Sequence, residues 1–182
     1  RVLVLEENKK AQATLDAAQG RFDLVVIDTP PAAPSWLTET LRAADLALIP
    51  VRPSPDDLRA VGATIAALGA AGVPFAFVMS QTPRAKLTDE AVRVLAQHGR
   101  VAPVNIAQRV IYAETAGTGQ GVTETSDTKA AQELAAMAQE LGLSMTARFI
   151  PYSQSRNAES GWKSLNWACS IMRNGKPIEG LA

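Results

Sequence analysis

Cysteine and histidine are almost absent from this chain. Among its 182 residues there is one cysteine, Cys169, and one histidine, His98. A single cysteine excludes an internal disulfide framework, and one cysteine with one histidine cannot build a structural zinc site of the usual kind. A reducing compartment is therefore favoured, and we expect a cytoplasmic protein.

An excess of charge of one sign is also missing. Lysine plus arginine and aspartate plus glutamate both number 18, so the overall charge indicates neither a nucleic-acid nor a membrane partner. No apolar run approaches the roughly 20 residues of a membrane-spanning helix, and no basic-then-apolar signal segment opens the chain. We therefore expect no membrane partner.

Short apolar runs alternate with stretches of helical spacing along most of the chain. The runs are continuous in their apolar character, which is typical of parallel strands covered on both faces. They are Val2–Leu5, Leu24–Ile27, Leu46–Val51 and Phe75–Met79. Helices are predicted at NKKAQATLDAAQG, PSWLTETLRAA, SPDDLRAVGATIAALGAAG and TDEAVRVLAQHG, with a last helix from Thr128 to Leu141. Right-handed crossovers between such strands predict a three-layer α/β domain with a mainly parallel sheet.

Two helix starts carry capping signals. Ser54 precedes two aspartates, and Thr88 is followed by Asp89 and Glu90. Serine and threonine are favoured N-caps, and acidic residues in a first turn complement the helix dipole. We expect Ser54 and Thr88 to cap the helices that follow them.

The composition changes abruptly after Leu143. The remaining residues carry two of the three tryptophans and the only cysteine, without the alanine-rich helical pattern. We therefore divide the chain into a domain at 1–143 and a short, unrelated tail of unknown class at 144–182. Within the tail, WACSIMRNGKPIEG predicts a β-hairpin that turns at Asn174-Gly175.

One predicted strand, LVVID, ends on a carboxylate, Asp28. In parallel α/β sheets, ligands bind beyond the carboxyl ends of the strands, so this position is aimed at a ligand crevice and suits a metal. The structural alternative is a helix N-cap or an Asx turn leading into Thr29-Pro30-Pro31. The strand and the DTPP segment alone do not decide between the two.

The wider context of Asp28 carries a family resemblance. FDLVVIDTPP is followed in order by LRAADLALIPVRPSPDDLRAV, FAFVMSQTPRAK and VNIAQRVIYAET. This order resembles the ParA/MinD family of deviant Walker ATPases, and most closely the small plasmid-partition ParA type. The resemblance covers roughly Val2 to Leu143 and implies a P-loop-type domain.

The resemblance implies roles for individual residues. Asp28 matches the Walker B aspartate, which holds Mg²⁺ indirectly, through water, and orders the attacking water. Thr29 and Pro30 match the switch that follows it. Residues matching Pro53 and Asp57 pack near the nucleotide and the dimer interface. Those matching Thr82, Pro83 and Arg84 close over the adenine.

Cofactors and partners are implied in the same way. The parent protein is expected to bind ATP and Mg²⁺, to form a homodimer, and to respond to a centromere-binding ParB-like protein. It is also expected to bind non-specific DNA and so to associate with the nucleoid. The candidate phosphate-backbone contacts are Arg84, Lys86, Arg93 and Arg109, for each of which an ordinary solvated surface is the alternative.

The sequence departs from the family at its defining element. There is no glycine-rich loop with two lysines, because Lys9 and Lys10 follow LEEN instead. We expect that the parent's first strand, phosphate loop and first switch precede Arg1, and that this chain alone does not hydrolyse ATP. Two alternatives stay open: a degenerate, non-catalytic dimerisation or interaction module, and a MinD-like ATPase with another role.

Overall fold

The computed structural model describes residues 10–19, 21–22, 24–29, 38, 41–83, 86–140 and 169–173. The predicted strand at Val2–Leu5 and most of the helix predicted at PSWLTETLRAA lie outside these residues, and so do Pro30 and Arg84.

Within the described residues, five strands form one sheet. They are β1 (Leu24–Asp28), β2 (Leu46–Val51), β3 (Phe75–Met79), β4 (Arg100–Val101) and β5 (Cys169–Arg173). The first three confirm predicted strands, whereas the short β4 was not predicted. β5 lies in the tail segment where a hairpin is predicted, but its described partners are β1 and β2, and the predicted turn at Asn174-Gly175 lies outside the described residues.

Thr38, Leu41 and Arg42 are helical, within the helix predicted at PSWLTETLRAA, and the described residues form five further α-helices. They are α1 (Lys10–Gln19), α2 (Pro55–Ala71), α3 (Lys86–Leu95), α4 (Val110–Thr118) and α5 (Thr128–Glu140), with a 3₁₀ turn at Val122–Glu124 before α5. Helices α1, α2, α3 and α5 confirm predictions from helical spacing. None of the helices in these ranges combines the length and the hydropathy that crossing a bilayer requires.

Helix α2 begins and ends where its sequence predicts. The Ser54 hydroxyl oxygen accepts a hydrogen bond from the Asp57 backbone N–H at 3.2 Å, which satisfies one of the unpaired donors of the first turn. Pro55 opens the helix, where its missing N–H costs nothing. The helix ends at Gly72, whose φ of 71° lies in the left-handed region that glycine tolerates best.

Helix α3 starts differently from its prediction. It begins at Lys86, so Thr88 lies inside the first turn and not at the N-cap. The Thr88 hydroxyl donates a hydrogen bond to the backbone carbonyl of Pro83 at 3.1 Å. The predicted cap is therefore wrong, because the helix already includes Lys86, three residues before Asp89, where a helix capped by Thr88 would start.

The strand order is β1-β5-β2-β3-β4. β2 pairs with β3, and β3 with β4, in parallel, whereas β5 pairs antiparallel with both β1 and β2. β1 and β2 consequently run parallel to each other with β5 between them. The carboxyl ends of β1, β2 and β3 thus lie at one edge of an α/β sheet, as predicted, with β5 as the antiparallel exception.

Helices cover one face of the sheet extensively. Ile49 and Phe77 from the sheet pack there with Leu15, Leu68 and Leu95 from α1, α2 and α3. Ile49, Phe77, Leu68 and Leu95 show no measurable exposure, and burying a side chain of this kind contributes about 1.5–3 kcal/mol. The core of the chain therefore lies under α1, α2 and α3.

The opposite face of the sheet is covered mainly by α5. Leu46 and Val78 pack there against Met137 and Ala138. Val26 of β1 points to this same face by strand alternation and is 46% exposed. The described residues thus form layers on both sides of β2 and β3, while the β1 portion of this second face is open to solvent.

Candidate functional site

Asp28 is the last residue of β1 and lies at the carboxyl edge of the sheet. Its side chain is accessible to solvent. The surrounding protein atoms still shield the carboxyl group partly from water, and this desolvation raises its pKa above the ordinary value. Thr29, the next residue, is buried with 3% exposure. Asp28 can therefore present carboxylate oxygens to a ligand beyond the strand ends, whereas Thr29 belongs to the packed interior.

Strand register shows that β1 ends at a lower level of the sheet than β2. Asp28 pairs with Cys169, which in turn pairs with Leu48. β2 continues from this level through Val51, which at about 3.3 Å per residue is about 10 Å. The end of β2 therefore extends about 10 Å beyond the level of Asp28 along the strand direction.

Arg52 and Asp57 form a compact ion pair just beyond the carboxyl end of β2. The Arg52 guanidinium donates from Nε at 3.0 Å and from a terminal nitrogen at 2.8 Å to the two carboxylate oxygens of Asp57. The Arg52 backbone N–H adds a bond at 3.1 Å, and the Ser54 hydroxyl one at 3.0 Å. Asp57 is 1% exposed, so its carboxylate faces these donors.

These contacts decide what Asp57 can do. Burial by itself would raise its pKa, but the hydrogen bonds from Arg52 and Ser54 outweigh burial and hold the pKa of Asp57 below its usual value. A carboxylate accepts about four hydrogen bonds, and four donors already surround this one. Asp57, predicted near the nucleotide, is therefore engaged within the protein, as is the neighbouring buried Pro53.

Thr82 and Pro83 follow β3 at the same edge of the sheet. The Thr82 backbone N–H and hydroxyl both donate to the Ile106 carbonyl, at 3.1 and 3.3 Å. Thr82 is 8% exposed, so its polar groups fasten the segment before α4 to the sheet. Pro83 is exposed and is the member of this pair that a ligand at the edge can reach.

Gln81 is a feature of this edge that the sequence did not predict. Its φ of 50° lies in the left-handed region, which a residue with a Cβ adopts uncommonly. The side chain is exposed at the point where β3 turns out of the sheet. No local signal distinguishes such a glutamine from one in an ordinary loop.

The predicted DNA contacts divide into two kinds. Lys86 and Arg93 are exposed on α3 and are available to a phosphate backbone. Arg109 instead donates from Nε to both oxygens of Glu133, at 3.2 and 3.3 Å, with the terminal nitrogen also paired to Glu133. The charge of Arg109 is therefore largely balanced within the protein.

Glu133 joins two further groups to Arg109 in one cluster. It accepts hydrogen bonds from the Ala107 N–H at 3.2 Å and from the Tyr112 hydroxyl at 3.3 Å. Burial, then the nearby Glu133 carboxylate, raise the pKa of Tyr112 to about 12. Tyr112 lies inside α4. This cluster fastens α4 and its preceding segment to α5.

Comparison with known proteins adds no assignment: no family model matches the chain, and no curated protein matches it.

The described residues fit one half of a Mg²⁺–ATP site. Asp28 offers the hard oxygen ligand that Mg²⁺ accepts, and Mg²⁺ commonly takes only one or two carboxylates beside phosphate oxygens. Within the described ranges, no cluster of three or more His, Cys, Asp and Glu side chains forms a complete metal site. Among the described residues, Asp28 alone could supply the metal side of such a site.

The phosphate half of such a site does not fit. A phosphate binds where helix N-terminal N–H groups or lysines are available. At the sheet edge, the first turn of α2 carries Asp56 and Asp57, whose negative charges already complement the helix dipole and oppose a phosphate. Among the described residues there is no glycine-rich loop that carries a lysine.

Proposed function

We propose that this chain is part of a ParA-like partition ATPase and carries the Walker B-like aspartate of that enzyme. The observation that supports this most directly is the position of Asp28. It ends β1 with an exposed carboxylate at the carboxyl edge shared by β1, β2 and β3, where ligands bind in open α/β sheets. The order of segments that resembles the family surrounds this residue.

The proposal divides the site between two parts of the polypeptide. Asp28 supplies a carboxylate to Mg²⁺, directly or through water, and Thr29 and Pro30 form the switch that follows. The groups that hold the phosphates of ATP come from residues other than those described, because the first turn of α2 is acidic. Because the sequence has no glycine-rich loop with two lysines, we expect that the chain alone does not turn over ATP.

The parent's partners follow from the same proposal. It dimerises, responds to a centromere-binding ParB-like protein and holds DNA loosely on the nucleoid. Lys86 and Arg93 are better placed for phosphate contacts than Arg109, since Glu133 already balances Arg109. Loss of either α3 residue is expected to weaken DNA binding without changing its sequence preference, because phosphate contacts carry no sequence information.

Equilibrium binding of a fluorescent ATP analogue with Mg²⁺ tests the proposal. The chain alone is expected to show no saturable binding. The longer protein with its phosphate loop is expected to bind and hydrolyse ATP, and Asp28→Asn is expected to abolish hydrolysis. Asp89→Asn is the matched control, because it removes an exposed carboxylate on α3.

Two results would contradict the proposal. One is saturable, Mg²⁺-dependent binding by the chain alone, which would place a complete phosphate site among its own residues. The other is an Asp28→Asn variant of the longer protein that hydrolyses ATP as fast as Asp89→Asn.

A second candidate is a non-catalytic interaction module. The internal hydrogen bonds of Asp57 and Thr82 favour it, because both residues would otherwise be free to meet a nucleotide. Absence of ATP binding by the longer protein would favour this candidate. A MinD-like ATPase of another role stays an alternative under the first candidate, since it would share the same nucleotide chemistry.

A further inference from the structure

Gln81 has an unusual backbone conformation at the carboxyl edge of the sheet. Among the residues that the structure describes, it is the one non-glycine with a positive φ, at 50°. A Cβ atom disfavours this left-handed region. Such strain persists only where the surrounding structure fixes the chain on both sides, and it is often stored at switches. The contacts beside Gln81 therefore decide whether its strain is kept or released.

The strain comes from one extra residue in the parallel ladder beyond β3. Ile106 donates its N–H to the Met79 carbonyl at 2.8 Å and accepts a hydrogen bond from the Thr82 N–H at 3.1 Å. A regular parallel ladder would join Ile106 to Met79 and Gln81, so Thr82 lies one residue too far along the chain. The chain absorbs the extra residue as a bulge, in which Gln81 is left-handed.

Residues 106–109, which we call the strap, are bonded to this bulge through their even-numbered members. Gln108 follows Ile106 in this respect and donates its N–H to the Thr82 carbonyl at 3.1 Å. The Thr82 hydroxyl adds a bond to the Ile106 carbonyl at 3.3 Å. Because Thr82 is 8% exposed, water has little access to these bonds. The strap thus fixes the residue that follows Gln81.

The odd-numbered members of the strap are bonded to α5. The Ala107 N–H and the Arg109 Nε each donate to the Glu133 carboxylate at 3.2 Å. The Ile106 side chain packs against the core of the second face, to which Met137 of α5 belongs. The strap is therefore held on one side by the sheet and on the other by Glu133.

These bonds define two states of the edge. With the strap in place, Thr82 is fixed and Gln81 stays left-handed. With the strap released, Thr82 loses its partners at Ile106 and Gln108, and Gln81 can return to an ordinary backbone conformation. The strain in Gln81 therefore favours release, and the bonds of Glu133 oppose it.

We propose that Gln81 and the strap form a strained latch through which α5 sets the shape of the carboxyl edge. A displacement of α5 that withdraws Glu133 opens the latch and relaxes the turn at Gln81. Because coupling between two sites is reciprocal, a ligand that moves the turn at Gln81 also changes the hold on α5. This device goes beyond the ATPase proposal and involves no nucleotide.

Native-state hydrogen exchange of the full chain, followed by NMR, tests the latch. Gln81→Gly removes the Cβ that makes the left-handed backbone costly. We expect exchange of the Ile106 and Gln108 amides to slow by roughly threefold to tenfold. In an ordinary loop glycine has the opposite effect, because it gives the open chain more freedom. Asn105→Gly is the matched control, since Asn105 is exposed and its φ is not positive.

Glu133→Gln tests the latch from the side of α5. The substitution keeps the shape of the side chain and removes its charge. We expect faster exchange at the Ala107 amide, which Glu133 holds, and also at the Ile106 and Thr82 amides, which it does not touch. Glu124→Gln is the control for the charge, because the Glu124 carboxylate accepts a backbone N–H of its own turn at 2.9 Å.

Three results would overturn the latch. They are exchange of the Ile106 amide that is no slower in Gln81→Gly than in the wild-type protein, equal changes in Gln81→Gly and Asn105→Gly, and a Glu133→Gln variant that alters the Ala107 amide alone. The first two would show that the strain of Gln81 does not act on the strap, and the third that the strap does not open as one unit. All three leave the ATPase proposal untouched.

Discussion

The two arginine–carboxylate pairs of this chain use the same chemistry for different purposes. Arg52 and Asp57 are five residues apart, and the Asp57 side chain is 1% exposed. Arg109 and Glu133 are 24 residues apart, and the Glu133 side chain is 19% exposed. The first pair closes the turn from β2 into its own helix, and the second joins α4 to α5. Burial and chain separation, not residue type, therefore determine what each pair stabilises.

Removal of Arg52 is the largest expected disruption. Arg52→Ala removes the guanidinium from the buried carboxylate of Asp57 and leaves it the backbone N–H of residue 52 and the Ser54 hydroxyl. Breaking a fully buried pair costs about 3–5 kcal/mol, and a loss below this range is expected because the Arg52 side chain is 39% exposed. Chemical denaturation monitored by circular dichroism measures this loss. Arg59→Ala is the control, because its pair with Asp56 has side-chain exposures of 78% and 82% and exposed pairs contribute about 0–1 kcal/mol. Equal losses in the two variants would contradict the importance of burial.

The stability that the Arg52–Asp57 pair contributes depends on pH. The pKa of Asp57 is lowered in the folded protein despite burial, through its hydrogen bonds to Arg52 and Ser54. The resulting stability is present above the unfolded pKa of about 3.9 and is lost as the pH falls through the folded value. The wild-type and Arg52→Ala unfolding free energies are therefore expected to converge in acid.

Removal of Arg109 is expected to cost less than removal of Arg52. Glu133 is partly exposed and keeps hydrogen bonds from Ala107 and Tyr112, so water and these donors compensate for part of the loss. The effect is expected to be local, with faster hydrogen exchange at the Ala107 amide and little change at Phe77 in the core. Unchanged protection at Ala107 would show that Arg109 does not support this junction.

Tyr112→Phe is the mildest change to the second cluster. It removes the hydrogen bond to Glu133 at 3.3 Å, worth about 1 kcal/mol. Because the pKa of Tyr112 is raised to about 12, its stabilisation is complete below the ordinary value of about 10 and is lost as the pH rises through the folded value. Unfolding free energies across this alkaline range should fall less steeply for Tyr112→Phe than for the wild-type protein.

Local patterns predicted much of the fold. β2, β3 and α2 follow from apolar runs, helical spacing and the Ser54 and Gly72 signals, all of which act within a few residues. Thr88 shows the limit of such signals, because α3 already includes Lys86 and Thr88 therefore lies inside the helix. Gln81 shows it again, since its left-handed backbone is imposed by the exit from β3.

The candidate site was predictable only in part. The apolar strand LVVID and the rule for parallel sheets were enough to predict that Asp28 lies at the carboxyl edge. The four donors around Asp57 were not predicted, although Arg52 and Ser54 stand nearby in the sequence. The bonds of Thr82 to Ile106 were beyond reach, because they join segments 24 residues apart.

The sequence by itself determined the elements whose causes are local: the apolar runs that become strands, the cap that starts α2 and the carboxylate that ends β1. Tertiary structure alone decided that Arg109 meets Glu133, that Thr82 meets Ile106 and that β5 enters the sheet between β1 and β2. These outcomes depend on packing and strand register between distant segments. Closing such contacts is governed by the whole fold, and no short stretch of sequence carries that information.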